Sequence, residues 1–209
     1  MLVQDVMQQP ARAVAAGTTL STAYQIMRTH HIRHLPVVEN GRVVGIVTDR
    51  DLRFATSALH PTPFPADASV EQVMTRNPLT ATPRDPVEEA ARLMRAHKVG
   101  CLPVVEGDTL TGIVTVSDLL DAIIRLTGVA RPGGRLAVRL DDNPGGLASL
   151  TAHLAGARVN IHAILSYPAD ETGTQVILRL DTLNTQTLAE TLRREGFDIT
   201  WPPEKPWSR

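Results

Sequence analysis

An internal repeat constrains this chain more than any other feature. The stretch Gly45-Ile46-Val47-Thr48-Asp49-Arg50-Asp51-Leu52 returns 67 residues later as Gly112-Ile113-Val114-Thr115-Val116-Ser117-Asp118-Leu119. The offset holds without a gap over residues 3–55. Val6-Met7 matches Val73-Met74, Met27-Arg28 matches Met94-Arg95, and Leu35 to Glu39 matches Leu102 to Glu106. A unit of about 60 residues buries little surface alone, so the two copies are expected to pack on each other. Two copies are too few for a solenoid.

Within a copy the pattern reads helix, strand, turn, strand, helix. Leu20 to His30 places Leu20, Ala23, Tyr24, Ile26 and Met27 at helical spacing, and Val87 to Ala96 does likewise. Leu35–Val38 and Val43–Val47 are predicted strands around a turn at Glu39-Asn40-Gly41-Arg42. A helix is expected from Asp51 to Leu59, before the break at His60-Pro61-Thr62-Pro63-Phe64-Pro65.

The repeated stretch itself carries chemistry. A buried strand ends in Thr48 or Thr115, a good helix N-cap, and Asp51 or Asp118 falls near the third helical position on the same side. A hydroxyl, a carboxylate and free helix N–H groups then surround one point. Hydroxyl and N–H groups suit a phosphate, and a carboxylate suits a pair of sugar hydroxyls. The bland alternative is that each pair only caps its helix; the second copy weighs against it.

Composition narrows the classes. Twenty-one basic against 22 acidic residues and a pI near 6.7 argue against a bulk nucleic-acid or anionic-membrane binder. One cysteine, Cys101, excludes an intrachain disulfide and a cysteine-based metal site, and it reads as a small core residue. No basic leader and no membrane-length apolar run stand out, so a soluble cytoplasmic protein is the expectation. His30 and His34 are four apart, but the helix is expected to end near His31, so they do not share a face and no metal site is expected. No nucleophile–base pair, paired carboxylates or Gly-rich phosphate loop appears, and no catalytic residue is assigned.

Two tandem copies of V-M, helix, L-P-V-V-E, turn and G-I-V-T-x-x-D-L resemble a pair of CBS domains, the Bateman module. The resemblance covers about residues 1–127, with repeat 1 at 1–60 and repeat 2 at 66–127. It implies α/β units related by a pseudo-twofold, two clefts that take adenosine-containing ligands, and pairing into a flat dimer. It also implies that Asp51 and Asp118 hold ribose hydroxyls while Thr48 and Thr115 face the phosphates. In such proteins basic residues just before the L-P-V-V strand and just after the Thr supply charge. Copy one has Arg33, His34 and Arg50 at these places, whereas copy two has Gly100, Cys101 and Ser117. The clefts are therefore expected to be unequal, with phosphates drawn towards copy one.

Beyond the linker at 128–134 the pattern changes. Arg135–Leu140, Val159–Leu165, Thr174–Leu180 and Phe197–Trp201 read as strands, and Leu147–Ala155 and Thr185–Arg194 as helices. This βαββαβ order is a ferredoxin-like split. Asp142-Asn143-Pro144-Gly145-Gly146-Leu147 before a helix, with Asn160 on the next strand, resembles an ACT domain over 135–201; residues 202–209 read as a tail. The resemblance implies a possible amino-acid site at Asp142, Asn143, Gly145, Gly146 and Asn160, although Asp142 would repel the ligand carboxylate, and a purely dimerising domain is an equal alternative. The whole arrangement is similar to the acetoin-utilisation B-type group of CBS–ACT proteins. The expected function is a regulatory sensor, not an enzyme, that binds AMP, ADP, ATP or S-adenosylmethionine. It would need no cofactor, form a homodimer and act on a client enzyme. A non-catalytic scaffold for a partner enzyme and an amino-acid sensor are the rivals.

Overall fold

The structure, a computed structural model, describes residues 1–170 and 172–204. Two compact units divide the chain, residues 1–122 and 123 onward.

In the first unit each repeat forms a helix, a β-hairpin and a second helix. Repeat 1 contributes β1 (Val14–Ala15), α1 (Leu20–Thr29), β2 (His34–Glu39), β3 (Arg42–Thr48) and α2 (Asp49–Ala55). Repeat 2 contributes β4 (Thr75–Arg76), α3 (Val87–His97), β5 (Cys101–Glu106), β6 (Thr109–Thr115) and α4 (Val116–Leu126). The first hairpin turns through Asn40 and Gly41, both with positive φ (50° and 80°), the backbone that a tight two-residue turn requires. One six-stranded sheet runs β1-β2-β3-β6-β5, with β4 also pairing β3. The two hairpins meet at Arg42 and Thr109, beside an exposed Arg42–Asp108 ion pair of 2.9 Å.

The repeats exchange their Val-Met segments. Val3, Val6 and Met7 pack into the core of repeat 2 with Leu102, Val104 and Val114. Val70, Val73 and Met74 pack into that of repeat 1 with Leu35, Val37 and Val47. Glycine makes both crossings possible: a Cβ at Gly112 would stand 2.7 Å from Met7 Sδ, and one at Gly45 would collide with the Met74 side chain. The repeated glycine is thus explained by the methionine that covers it.

Three expectations need correction. The short strands β1 and β4 were not expected, since two residues carry no periodicity. Helix α2 ends at Ala55 rather than Leu59: Ser57 N–H turns back to the Phe54 carbonyl, and the Ala55 carbonyl accepts from Phe64 N instead of from a further helical turn. The division between units falls inside α4 rather than in the 128–134 linker. Ile123, Ile124, Thr127 and Val129 line a cavity of about 260 Å³ with Ala163, Leu165 and Ile177, so the last turn of α4 belongs with the second unit.

The second unit is a β-α-β-β-α-β fold: β7 (Gly134–Asp141), α5 (Gly146–Gly156), β8 (Ile161–Pro168), β9 (Gly173–Leu180), α6 (Thr185–Arg194) and β10 (Asp198–Trp201). Its antiparallel sheet runs β10-β7-β9-β8. Leu136, Val138, Val176, Leu178 and Leu180 alternate onto the face that meets Leu150, Leu154, Ala189 and Leu192 of the helices. Of the expected tail, residues 205–209 lie outside the described residues.

Candidate ligand-binding cleft

The loops at the C-terminal ends of β3 and β6 open onto one cleft of about 1750 Å³ in the first unit. That is roomier than the roughly 300–1,000 Å³ usual for a single small ligand. The sequence-predicted residues Arg33, His34, Thr48, Arg50, Asp51, Thr115, Ser117 and Asp118 all line it.

Each half is built the same way. Thr48 N and Oγ donate to Asp51 Oδ2 at 2.9 and 2.7 Å, and Asp51 N donates back to Thr48 Oγ at 3.2 Å. Thr115 N and Oγ donate to Asp118 Oδ2 at 2.8 and 2.7 Å, with the return bond at 3.4 Å. These are reciprocal caps, so the bland reading is true as far as it goes. A cap uses one carboxylate oxygen, Oδ2 in each half, and does not by itself engage the other. Ladder pairs bring the preceding residues alongside: His34 faces Thr48 and Cys101 faces Thr115. The Arg33 and Gly100 carbonyls accept from Asp49 N and Val116 N.

The matched positions beside the two Thr–Asp pairs differ in charge, while Arg12, His97 and Lys98 also line the cleft. Arg33, His34 and Arg50 flank Thr48 and Asp51, while Gly100, Cys101 and Ser117 occupy the matching places. His34 leans across towards repeat 2, where a Cβ on Gly100 would come within 3.0 Å of its Nε2. Burial holds the His34 imidazole below its ordinary value of 6.5, the Arg33 guanidinium lowers it further, and the Asp51 carboxylate opposes both. The unfolded chain therefore takes a proton that the folded His34 refuses. The stability this confers is complete above pH 6.5 and is lost as pH falls below it. We expect the His34 ring signals to titrate below 6.5 and His34→Asn to flatten the acid limb of stability; an unchanged limb would contradict this. Burial pushes the Cys101 thiol up to about 12, which makes it a core residue against Ile46 and Ile113 and no nucleophile.

Sequence reasoning missed part of the lining. Gln8, Pro10, Arg12, Thr75, His97 and Lys98 also face the cleft. Gln8 reaches Asp118 across 110 positions, its Nε2 donating to Oδ1 at 2.7 Å. The one available signal was the mismatch of Gln8 with Thr75 at the repeat offset.

The possible amino-acid residues lie in the second unit. Asp142, Asn143 and Gly145 sit on an exposed loop, with Gly145 at φ +101° just before α5. Asn160 is exposed and its Oδ1 accepts from Ile161 N. The 260 Å³ cavity of this unit includes none of the five. Among the described residues no group of three or more His, Cys, Asp or Glu is placed to hold a metal ion, and no helix is long and apolar enough to cross a membrane.

The CBS domain family model matches residues 3–57 and 70–125, more than half of the chain. The chain belongs to the CBS-domain family. A CBS domain-containing protein of Dictyostelium discoideum is 39% identical over 139 residues, 60% of this chain and 93% of that protein. Several other curated relatives are longer enzymes, of which the chain spans less than a quarter, whereas the CBS domain-containing protein YhcV of Bacillus subtilis is matched over 81% of its length at 32% identity. Among solved structures, a CBS domain pair in complex with 5′-methylthioadenosine and S-adenosyl-L-methionine is 30% identical, with a TM-score of 0.53 over 59% of this chain and 95% of that one. A putative acetoin utilization protein from Vibrio cholerae is 33% identical, TM-score 0.53, over 63% and 98%. CBSX2 in complex with AMP is 27% identical, TM-score 0.53, over 62% and 98%.

Proposed function

We propose that this CBS-domain protein is a regulatory sensor that binds an adenine nucleotide, or S-adenosylmethionine, in the cleft of its first unit. The observation that carries the proposal is Asp51: its Oδ2 is engaged by Thr48, and Arg33, His34 and Arg50 stand around it. A ribose diol donates two hydroxyl hydrogens to such a carboxylate, and a phosphate takes the guanidinium forks and the Thr48 hydroxyl. Relatives solved with AMP and with S-adenosyl-L-methionine support an adenosine-containing ligand. No step in this function breaks a covalent bond. Calorimetric titration of ligand-stripped protein with AMP, ADP, ATP and S-adenosylmethionine tests it; saturable binding by at least one is expected, and a flat panel favours a scaffold for a partner enzyme.

The second unit is proposed as an ACT-like module, supported by its β-α-β-β-α-β order and by the Asp142-Asn143-Pro144-Gly145 turn into α5. Nucleotide binding would bias one repeat against the other and so bias a client enzyme, which requires unequal affinity for two states. The relation to an acetoin utilization protein supports a client in acetoin use. Pairing with a second copy is supported by apolar side chains left exposed on the repeat-equivalent helices: Phe54 on α2, and Val116 and Leu120 on α4. We expect Leu120→Glu to turn a sedimenting dimer into monomer; an unchanged sedimentation coefficient would place the interface elsewhere.

A further inference from the structure

We infer that Gln8 latches the Asp118 half of the cleft, so that a ribonucleotide is held at the Thr48–Asp51 half, one per chain. This rests on the nucleotide reading above and specifies where and how many. The two carboxylates are sequence equivalents with different surroundings. Asp118 is only 5% exposed. Its Oδ2 takes two bonds from Thr115 and its Oδ1 takes the Gln8 amide at 2.7 Å. A carboxylate this buried is tolerated because both oxygens are supplied with donors. Asp51 is half-buried, and among the described residues only Thr48 donates to it.

The latch is fixed by backbone. Gln8 N donates to the Ile113 carbonyl at 2.9 Å and Ile113 N donates to the Gln8 carbonyl at 3.1 Å, which sets the side chain over Asp118. Thr75 holds the matching position against Ile46 in the other half. Its short hydroxyl side chain makes no described bond to Asp51. A ribose approaching Asp51 therefore gains hydrogen bonds, whereas one approaching Asp118 must first displace an amide and only exchanges one bond for another. Arg33 and Arg50 add attraction on the side that is already open. The inequality of the two halves thus comes from an uncharged residue of the N-terminal segment as well as from the basic residues.

The test is titration of the ligand-stripped full chain with AMP. Wild type is expected to bind one AMP per chain, Asp118→Asn to bind one with affinity changed less than about threefold, and Gln8→Ala to bind a second, weaker equivalent. Asn at 118 keeps an oxygen for the Thr115 cap, and Gln8 is exposed, so both variants are expected to fold; circular dichroism checks this. Two AMP per wild-type chain, a single site lost in Asp118→Asn, or a Gln8→Ala chain that still binds one would overturn the latch. In those cases the nucleotide reading stands. If neither wild type nor Gln8→Ala binds AMP, the latch falls; the nucleotide reading falls with it only where ADP, ATP and S-adenosylmethionine also fail to bind.

Discussion

Asp51→Asn is expected to weaken AMP binding by roughly one to two orders of magnitude while leaving the fold in place. Asn retains a carbonyl oxygen that can serve the Thr48 cap, so α2 keeps its start. What disappears is the charge that strengthens two ribose hydroxyl bonds, each worth roughly 1.5–3 kcal/mol to an ionised acceptor. A tenfold change in Kd corresponds to about 1.4 kcal/mol, so losing half of that strength gives the expected factor. Titration calorimetry reads the change, and thermal unfolding of the free variant should stay within about 1 kcal/mol of wild type. Undiminished affinity would move the ligand away from Asp51.

The second large effect concerns stability alone. Leu178 is fully buried at the centre of β9, between β7 and β8, and faces the helices of the second unit. Leu178→Ala removes three buried carbons and leaves a cavity, at a cost of about 2–5 kcal/mol. For a unit of this size that lowers Tm by roughly 10 °C or more. Differential scanning calorimetry should show the loss, while AMP affinity at 20 °C remains that of wild type because every residue assigned to the nucleotide lies in the first unit. A matching loss of AMP affinity would mean that the second unit contributes to the site.

Much of this architecture is written locally in the chain. The hairpin at Asn40-Gly41 and the reciprocal caps Thr48–Asp51 and Thr115–Asp118 are each set within a few residues, so periodicity and turn chemistry expose them. The 67-residue offset then predicts which residues are equivalent, and those equivalents do line one cleft. What the sequence conceals is pairing at long range. The exchange of the Val-Met segments between repeats is invisible because Val6-Met7 and Val73-Met74 are alike, so either partner satisfies the pattern. Gln8 on Asp118 is hidden for the opposite reason: it breaks the repeat, and a mismatch at one position reads as drift until geometry shows a bond there. Helix α4 runs unbroken from Val116 to Leu126, and only packing reveals that its last turn belongs with the second unit.

Amide hydrogen exchange with and without saturating AMP is the measurement to make first. Ligand at ~100 times its Kd adds roughly 2.7 kcal/mol to the unit that binds it, so protection there should rise by about two orders of magnitude for amides that exchange through unfolding of that unit. Slowing at Arg33–His34 and Thr48–Leu52, with smaller changes across Thr115–Leu119, is the expected result. Slowing confined to residues 134–201, or none anywhere in the first unit, would contradict a nucleotide sensor built on the Thr48–Asp51 pair.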